Sequence, residues 1–219
     1  MTRKLIIMAA ALLIVATGAQ AQWYPMRFDA TARIQGNGNV PLANCAYLGV
    51  IAIYDIVPTN ANTSSVLAAT TLGAAAQTVT TGITAPDVPR VLSVKGNASG
   101  IVGNVVITGR DISNATCTDT IALDGASTVT GTKAFRTVTS VALPAKTNSS
   151  GDTVSVGVAN KFALPNLLAD ANRVFMATLN GSGDEGTFTC TASVQTSLYE
   201  PYGTPNGSHH LKILYILGR

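Results

Sequence analysis

The stretch Thr187–Ser197, TFTCTASVQTS, decides the reading of the fold. Thr187, Thr189, Thr191, Ser193, Gln195 and Ser197 are polar, while Phe188, Cys190, Ala192 and Val194 between them are apolar or small. A period of two places the first set on one face of a β-strand and the second on the other. Alternation sustained over this length predicts an antiparallel strand with one wet and one dry face.

The same pattern recurs on either side. Thr153–Val158 directs Val154, Val156 and Val158 inward. Ile101–Gly109 places Ile101, Gly103, Val105 and Ile107 on one face, Asp111–Ala115 turns the chain, and Thr116–Leu123 returns it. On that return Cys117, Ile121 and Leu123 share the dry face, and Thr116, Thr118 and Thr120 the wet one. Arg90–Lys95 is a short strand, entered through Pro86-Asp-Val-Pro89, whose prolines fix φ and bias their predecessors away from helix. Gly125 and Gly131 bracket another short strand. In Phe135–Leu143 the residues Phe135, Val138 and Val141 recur every three positions, which requires a bulge or burial on both sides. Lys161–Leu164 reads as an edge strand ending at Pro165, and Leu211–Leu217, LKILYIL, as a closing strand. The apolar run Cys45–Val57, CAYLGVIAIYDIV, predicts a buried strand. Pro58–Ser65 reads as loop, and Val66–Ala76 fits a short helix or a strand equally well.

A dry face on each of many short strands demands a second sheet to cover it. The expected fold class is therefore all-β, an antiparallel sandwich of Ig-like or jelly-roll-like type with an extended N-terminal arm. The organisation follows as residues 1–21 a signal peptide or arm, 22–82 an arm and strands completing the sandwich, and 83–219 the main domain. Thr2-Arg3-Lys4, the apolar run Leu5–Val15 and Ala19-Gln20-Ala21 have the order of an export signal, and the run is short for a membrane span.

Only 11% of the 219 residues are charged, and the net charge is +3, with Arg3 and Lys4 among the 14 basic residues. No cluster of Lys and Arg suggests a nucleic-acid partner. Cys45, Cys117 and Cys190 lack the close spacing of a zinc clip. Cys117 and Cys190 both fall on inward positions, where a cross-sheet disulfide and two buried thiols are both open. His209 and His210 are adjacent, so on a strand they point to opposite faces and cannot chelate together. No G-x-S-x-G elbow accompanies them as a hydrolase would need. Asp111, Asp119 and Asp124 lack the spacing of an EF-hand and read as turn formers. Asp184-Glu185 reads as a solvated turn. Catalytic residues, cofactors and metals are accordingly not expected. Lys133 and Arg136 are candidates for contact with an acidic neighbouring subunit or with lipopolysaccharide. Trp23, Tyr24, Tyr199 and Tyr202 are the aromatics expected outside the core, as partner contacts or as a platform for a cell-surface glycan.

Several phrases together resemble tailed-phage virion structural proteins of the capsid-decoration type. They are ITAPDVPR (83–90), VVITGRD (105–111), DTIALDG (119–125), GTKAFRTVTSVALP (131–144), GDTVSVG (151–157) and the K-x-x-L-P ending at Pro165, with PNGSHHLKILYI (205–216) resembling the closing strand. The resemblance implies an Ig-like sandwich on the outside of a virion, without catalysis, assembled as a homo-oligomer on the major capsid protein or other virion subunits. The export-type N-terminus supports a different expectation, a secreted or periplasmic adhesion or carbohydrate-binding module.

Overall fold

Strand follows strand along the chain wherever it is described. The structure, a computed structural model, describes residues 50–217 apart from 148–150, 169, 170, 172 and 173. The expected N-terminal arm, with Trp23, Tyr24 and the export-type segment, lies outside the described residues. The strands are β1 (Val50–Ile56), β2 (Asn62–Thr71), β3 (Gln77–Val79), β4 (Arg90–Gly96), β5 (Asn104–Arg110), β6 (Thr116–Ala122) and β7 (Thr128–Phe135). They continue with β8 (Thr137–Leu143), β9 (Thr153–Ala163), β10 (Val174–Leu179), β11 (Ser182–Gly183), β12 (Thr187–Thr189), β13 (Leu198–Glu200) and β14 (Leu211–Leu217). Ile53–Tyr215 form one compact unit.

Three sheets result. The largest has the order β12-β13-β9-β4-β7, with β2 also on β9; the second is β3-β8-β5-β6; the third is β1-β14-β10-β11. The first two pack face to face around one core. Leu92, Val94, Phe135, Val154, Val156 and Val158 come from the large sheet, and Val105, Ile107, Cys117, Ile121, Val141 and Leu143 from the second. Each such aliphatic side chain stabilises the fold by roughly 1.5–3 kcal/mol relative to exposure. This is the antiparallel sandwich that the alternating pattern demands. The faces of β5, β6 and β9 agree with the sequence reading, since Cys117 and Ile121 are buried and Thr116, Thr118 and Thr120 exposed.

Phe135–Leu143 is not one strand: Phe135 ends β7 in the large sheet and β8 begins at Thr137 in the second, and the further spacing from Val138 to Val141 has its cause in a bulge. Thr108 pairs with Ser140 but Gly109 with Val138, so Thr139 is the extra residue. Gly131 lies inside β7 instead of ending a strand. A Cβ there would collide with the Asp119 carboxylate, which reaches across from β6 to accept the backbone N–H groups of Thr132 at 2.7 Å and Lys133 at 3.0 Å. That carboxylate ties the edge strand of one sheet to the edge strand of the other, in the place of a ladder.

Other expectations are corrected. Of Thr187–Ser197, only Thr187–Thr189 is strand. Beyond it the hydroxyls bond locally. Thr191 Oγ1 donates to Ser193 O at 3.0 Å, Ser197 Oγ to Thr191 O at 3.1 Å, and the Ser193 hydroxyl accepts from Gln195 N at 3.2 Å. Short Ser and Thr side chains offer the backbone such alternatives to a ladder, and here they win. Lys161–Leu164 is no edge strand, because Lys161–Ala163 continues β9 between β4 and β13. Val66–Ala76 resolves as strand up to Thr71, and that strand begins at Asn62, inside the expected loop. The Cys45–Val57 run does contain a strand, β1, but it is not buried throughout, for Ile53 is 65% exposed. At the β10–β11 hairpin Asn180 (φ 54°) and Gly181 (φ 79°) form a left-handed two-residue turn, the type that suits strand twist.

Candidate functional site

The site grows from a division of labour along one edge of β9. β2 pairs with its first half, from Thr153 to Val158, and β13 with Phe162 and Ala163. Between them the edge is open. Ser93 and Gly157 are register partners across β4 and β9, and Thr130 is the partner of Ser93 on β7. Since Leu92 and Val94 face the core, these three face the other way.

A groove of about 250 Å³ opens on that outer face. Ser93 is its buried floor. Asn62 and Thr63 wall one side, because the β2 backbone lies directly against Gly157; a Cβ at 157 would collide with the carbonyl oxygen of Asn62 and the backbone of Thr63. Thr128 and Thr130 form the opposite wall. Lys161 and Glu200, joined by an ion pair of 3.0 Å, close one end, and Asn160 flanks them.

A buried cation fixes Asn160. Arg90 is fully buried. Its Nη2 donates to Asn160 Oδ1 at 2.9 Å, its Nε to Ala159 O at 2.8 Å, and its Nη1 to Thr59 O at 3.0 Å and Asp87 Oδ1 at 2.9 Å. Burial pulls the guanidinium pKa down, and the charge and hydrogen bonds of Asp87 oppose this. Asn160 Nδ2 in turn donates to Asn60 Oδ1 at 3.0 Å. The loop before β2, the Pro86–Pro89 segment and the bulged middle of β9 are thereby held in one arrangement.

Among the described residues, none of the candidate contact, disulfide or metal residues singled out in the sequence lines this groove, and Trp23 and Tyr24 lie outside them. Tyr199 is wholly buried, contrary to its expected position outside the core, and stacks at 4.3 Å on Phe188 with its hydroxyl on Asp184. Tyr202 is 88% exposed. The two therefore cannot form a shared aromatic platform. Asp184 is more than a solvated turn, since it also accepts the N–H groups of Tyr202 at 3.0 Å and Gly203 at 2.8 Å. Lys133 donates its ammonium to Thr118 O at 2.7 Å, and Arg136 is exposed. Cys117 is a free, buried thiol, 3.9 Å from Ala134 O, so the Cys117–Cys190 bond is not made. The histidines precede β14 and have different partners: His209 meets Asn206 at 3.0 Å and His210 meets Asp55 at 2.9 Å. Asp111 is a turn former, accepting from Ser113 N and Ala115 N at 2.9 Å each. Among the described residues no three His, Cys, Asp or Glu side chains gather as a metal site.

The groove residues escaped the sequence reading because Ser, Thr and Asn are everywhere in this chain. The one usable signal was Arg90 directly after a Pro-Asp-x-Pro segment, a charge at the head of an apolar strand.

No protein-family model matches the chain, and no curated protein or solved structure matches it significantly.

Proposed function

We propose that the protein is a non-enzymatic structural component of a phage virion, decorating or stabilising the capsid surface. The observation that carries this reading is the use made of buried charge. Asp111 and Asp119 are buried and accept mainly backbone N–H groups, and the buried Arg90 ties two backbone carbonyls to the side chains of Asp87 and Asn160. Charged groups spent in this way stiffen a shell of sheets, and stiffness suits a subunit that lies on a particle. The order of phrases between residues 84 and 165 supports the same reading.

Mass spectrometry of purified virions from the host tests it. The protein should be present in many copies, with Met1 or its immediate neighbours at the N-terminus. Absence from particles, together with a mature chain beginning at Gln22 in the periplasmic or secreted fraction, would replace it with an exported adhesion module.

A further inference from the structure

We propose that the groove between β2, β7 and the open edge of β9 binds one neutral polyhydroxylated ring, a single hexose unit of a glycan. The inference does not depend on whether the protein rides on a particle or is exported.

Four observations lead to it. The first is the kind of group that lines the groove. Ser93, Thr63, Thr128 and Thr130 bring hydroxyls, Asn62 and Asn160 bring amides, and Ala61, Val158 and Ala159 add apolar surface. The hydroxyls both donate and accept, as sugar hydroxyls do, while Asn160 is engaged by Arg90 and Asn60 and Asn62 Oδ1 by Ser64, so the amides offer only their remaining capacity. Thr128 and Thr130 stand two residues apart on one face of β7, about 7 Å along the strand, enough to address hydroxyls on opposite sides of a pyranose ring.

The second is charge. Among the described residues Lys161 and Glu200 are the only charged ones of the lining, and they neutralise one another at 3.0 Å. A phosphate, a carboxylate or an amine gains no net attraction from such a pair. Vicinal hydroxyls can still donate to the carboxylate and accept from the ammonium, since each ion has hydrogen-bonding capacity beyond its partner.

The third is size. At about 250 Å³ the groove is smaller than the pockets of drug-sized ligands, which run from about 300 to 1,000 Å³. One ring fits, and its neighbours along a glycan would lie outside.

The fourth is preorganisation. Arg90 locks Asn160, Gly157 lets β2 press onto the sheet, and Ser93 is held at 2% exposure. The polar groups are presented without a conformational change, which lowers the entropic cost of binding. With no aromatic residue in the lining, a ring of about a dozen heavy atoms should bind with a Kd on the order of millimolar. Such a site acts through many copies, as multivalent display multiplies weak affinity.

The experiment is a ¹H–¹⁵N correlation titration of the full chain with D-glucose, D-galactose, D-mannose and N-acetyl-D-glucosamine, each singly. At least one sugar should move the amides of Asn62, Thr63, Thr130, Asn160 and Lys161 in a saturable way. Thr130→Val and Lys161→Met should each weaken that sugar by about 2- to 10-fold, the loss of one hydrogen bond. If Thr130→Val does not fold, Thr128→Val takes its place. The proposal is overturned by the absence of saturable shifts with all four sugars, by shifts centred away from the groove, or by unchanged affinity in the folded variants. Virion proteomics is a separate readout, so either proposal can fail alone.

Discussion

The guanidinium carbon of Arg90 lies 4.8 Å from the ring centroid of Phe162, and the two residues are register partners across β4 and β9. The ring covers the flat face of the cation while its N–H groups point outward to Ala159, Thr59, Asp87 and Asn160. A charge is thus buried at the centre of the large sheet, with its polar edge satisfied and its apolar face packed.

Removing that cation strands the groups around it. Arg90→Met keeps the length of the side chain but removes the donor to two carbonyls and to Asn160 Oδ1, and leaves Asp87 with Thr59 alone. Breaking a buried pair from one side costs about 3–5 kcal/mol, and urea unfolding should show a loss in that range. Arg90→Lys should lose most of the same amount, because one ammonium cannot span acceptors on three segments. A variant within about 1 kcal/mol of the parent would contradict this account.

The partner of Arg90 sets an acid limit. Burial by itself raises the Asp87 pKa, but the Thr59 N–H, the Arg90 charge and further hydrogen bonds outweigh it, so the carboxyl is held below its ordinary value. A depressed folded-state pKa means that the ionised form favours folding. Its contribution is therefore complete above the unfolded value of about 3.9 and is lost as pH falls below it. Urea midpoints measured from about pH 5 down to about pH 2 should drop, and Asp87→Asn should flatten that drop while lowering the plateau.

Gly157 is a test of the close approach of β2. Gly157→Ala should destabilise by about 1–3 kcal/mol, as overpacking does, and should shift the Asn62 and Thr63 amide resonances. Gly183→Ala, where a Cβ meets open space, should change stability by no more than about 0.5 kcal/mol.

Three tyrosines set an alkaline limit. Burial pushes Tyr54 up to about 12, with Tyr215 adding to the rise. It raises Tyr199, where Asp184 adds further, and Tyr215, where the Asn166 hydrogen bond opposes it. Here the neutral phenol favours folding, so the contribution is complete below the unfolded value of about 10 and is lost as pH rises through the folded values. Phenolate absorbance and loss of the fold should therefore appear together in the alkaline range, and Tyr199→Phe should lower stability at neutral pH, through loss of the Asp184 hydrogen bond, while flattening the alkaline decline.

Burial likewise pushes the Cys117 thiol up to about 11. The thiolate is the reactive form, so iodoacetamide at about pH 8 should label Cys117 in denaturant and not in the native protein. Labelling at equal rates in both states would place that strand outside the core.

The sandwich was legible because hydrophobic period survives tertiary context: Val105, Ile107, Val154 and Val156 are inward as their spacing requires. Pattern failed where polar residues had another use. Thr191, Ser193 and Ser197 alternate as a strand would, yet their hydroxyls fold the segment onto itself. Lys161 looks like an edge residue because it is charged, but it stands at the rim of a central strand and meets Glu200 across the gap. Asn180-Gly181 is a plain hairpin signal, and it marks the turn between β10 and β11. The groove itself could not be read, since it depends on β2 crossing Gly157, a contact between residues far apart in sequence that leaves no local mark.

The placement of β14 between β1 and β10 has a consequence for synthesis. Among the described residues, the neighbour of the first strand is the last one. During translation that pairing cannot form before Leu211–Leu217 is made, so the third sheet closes only after every strand of the sandwich has been synthesised.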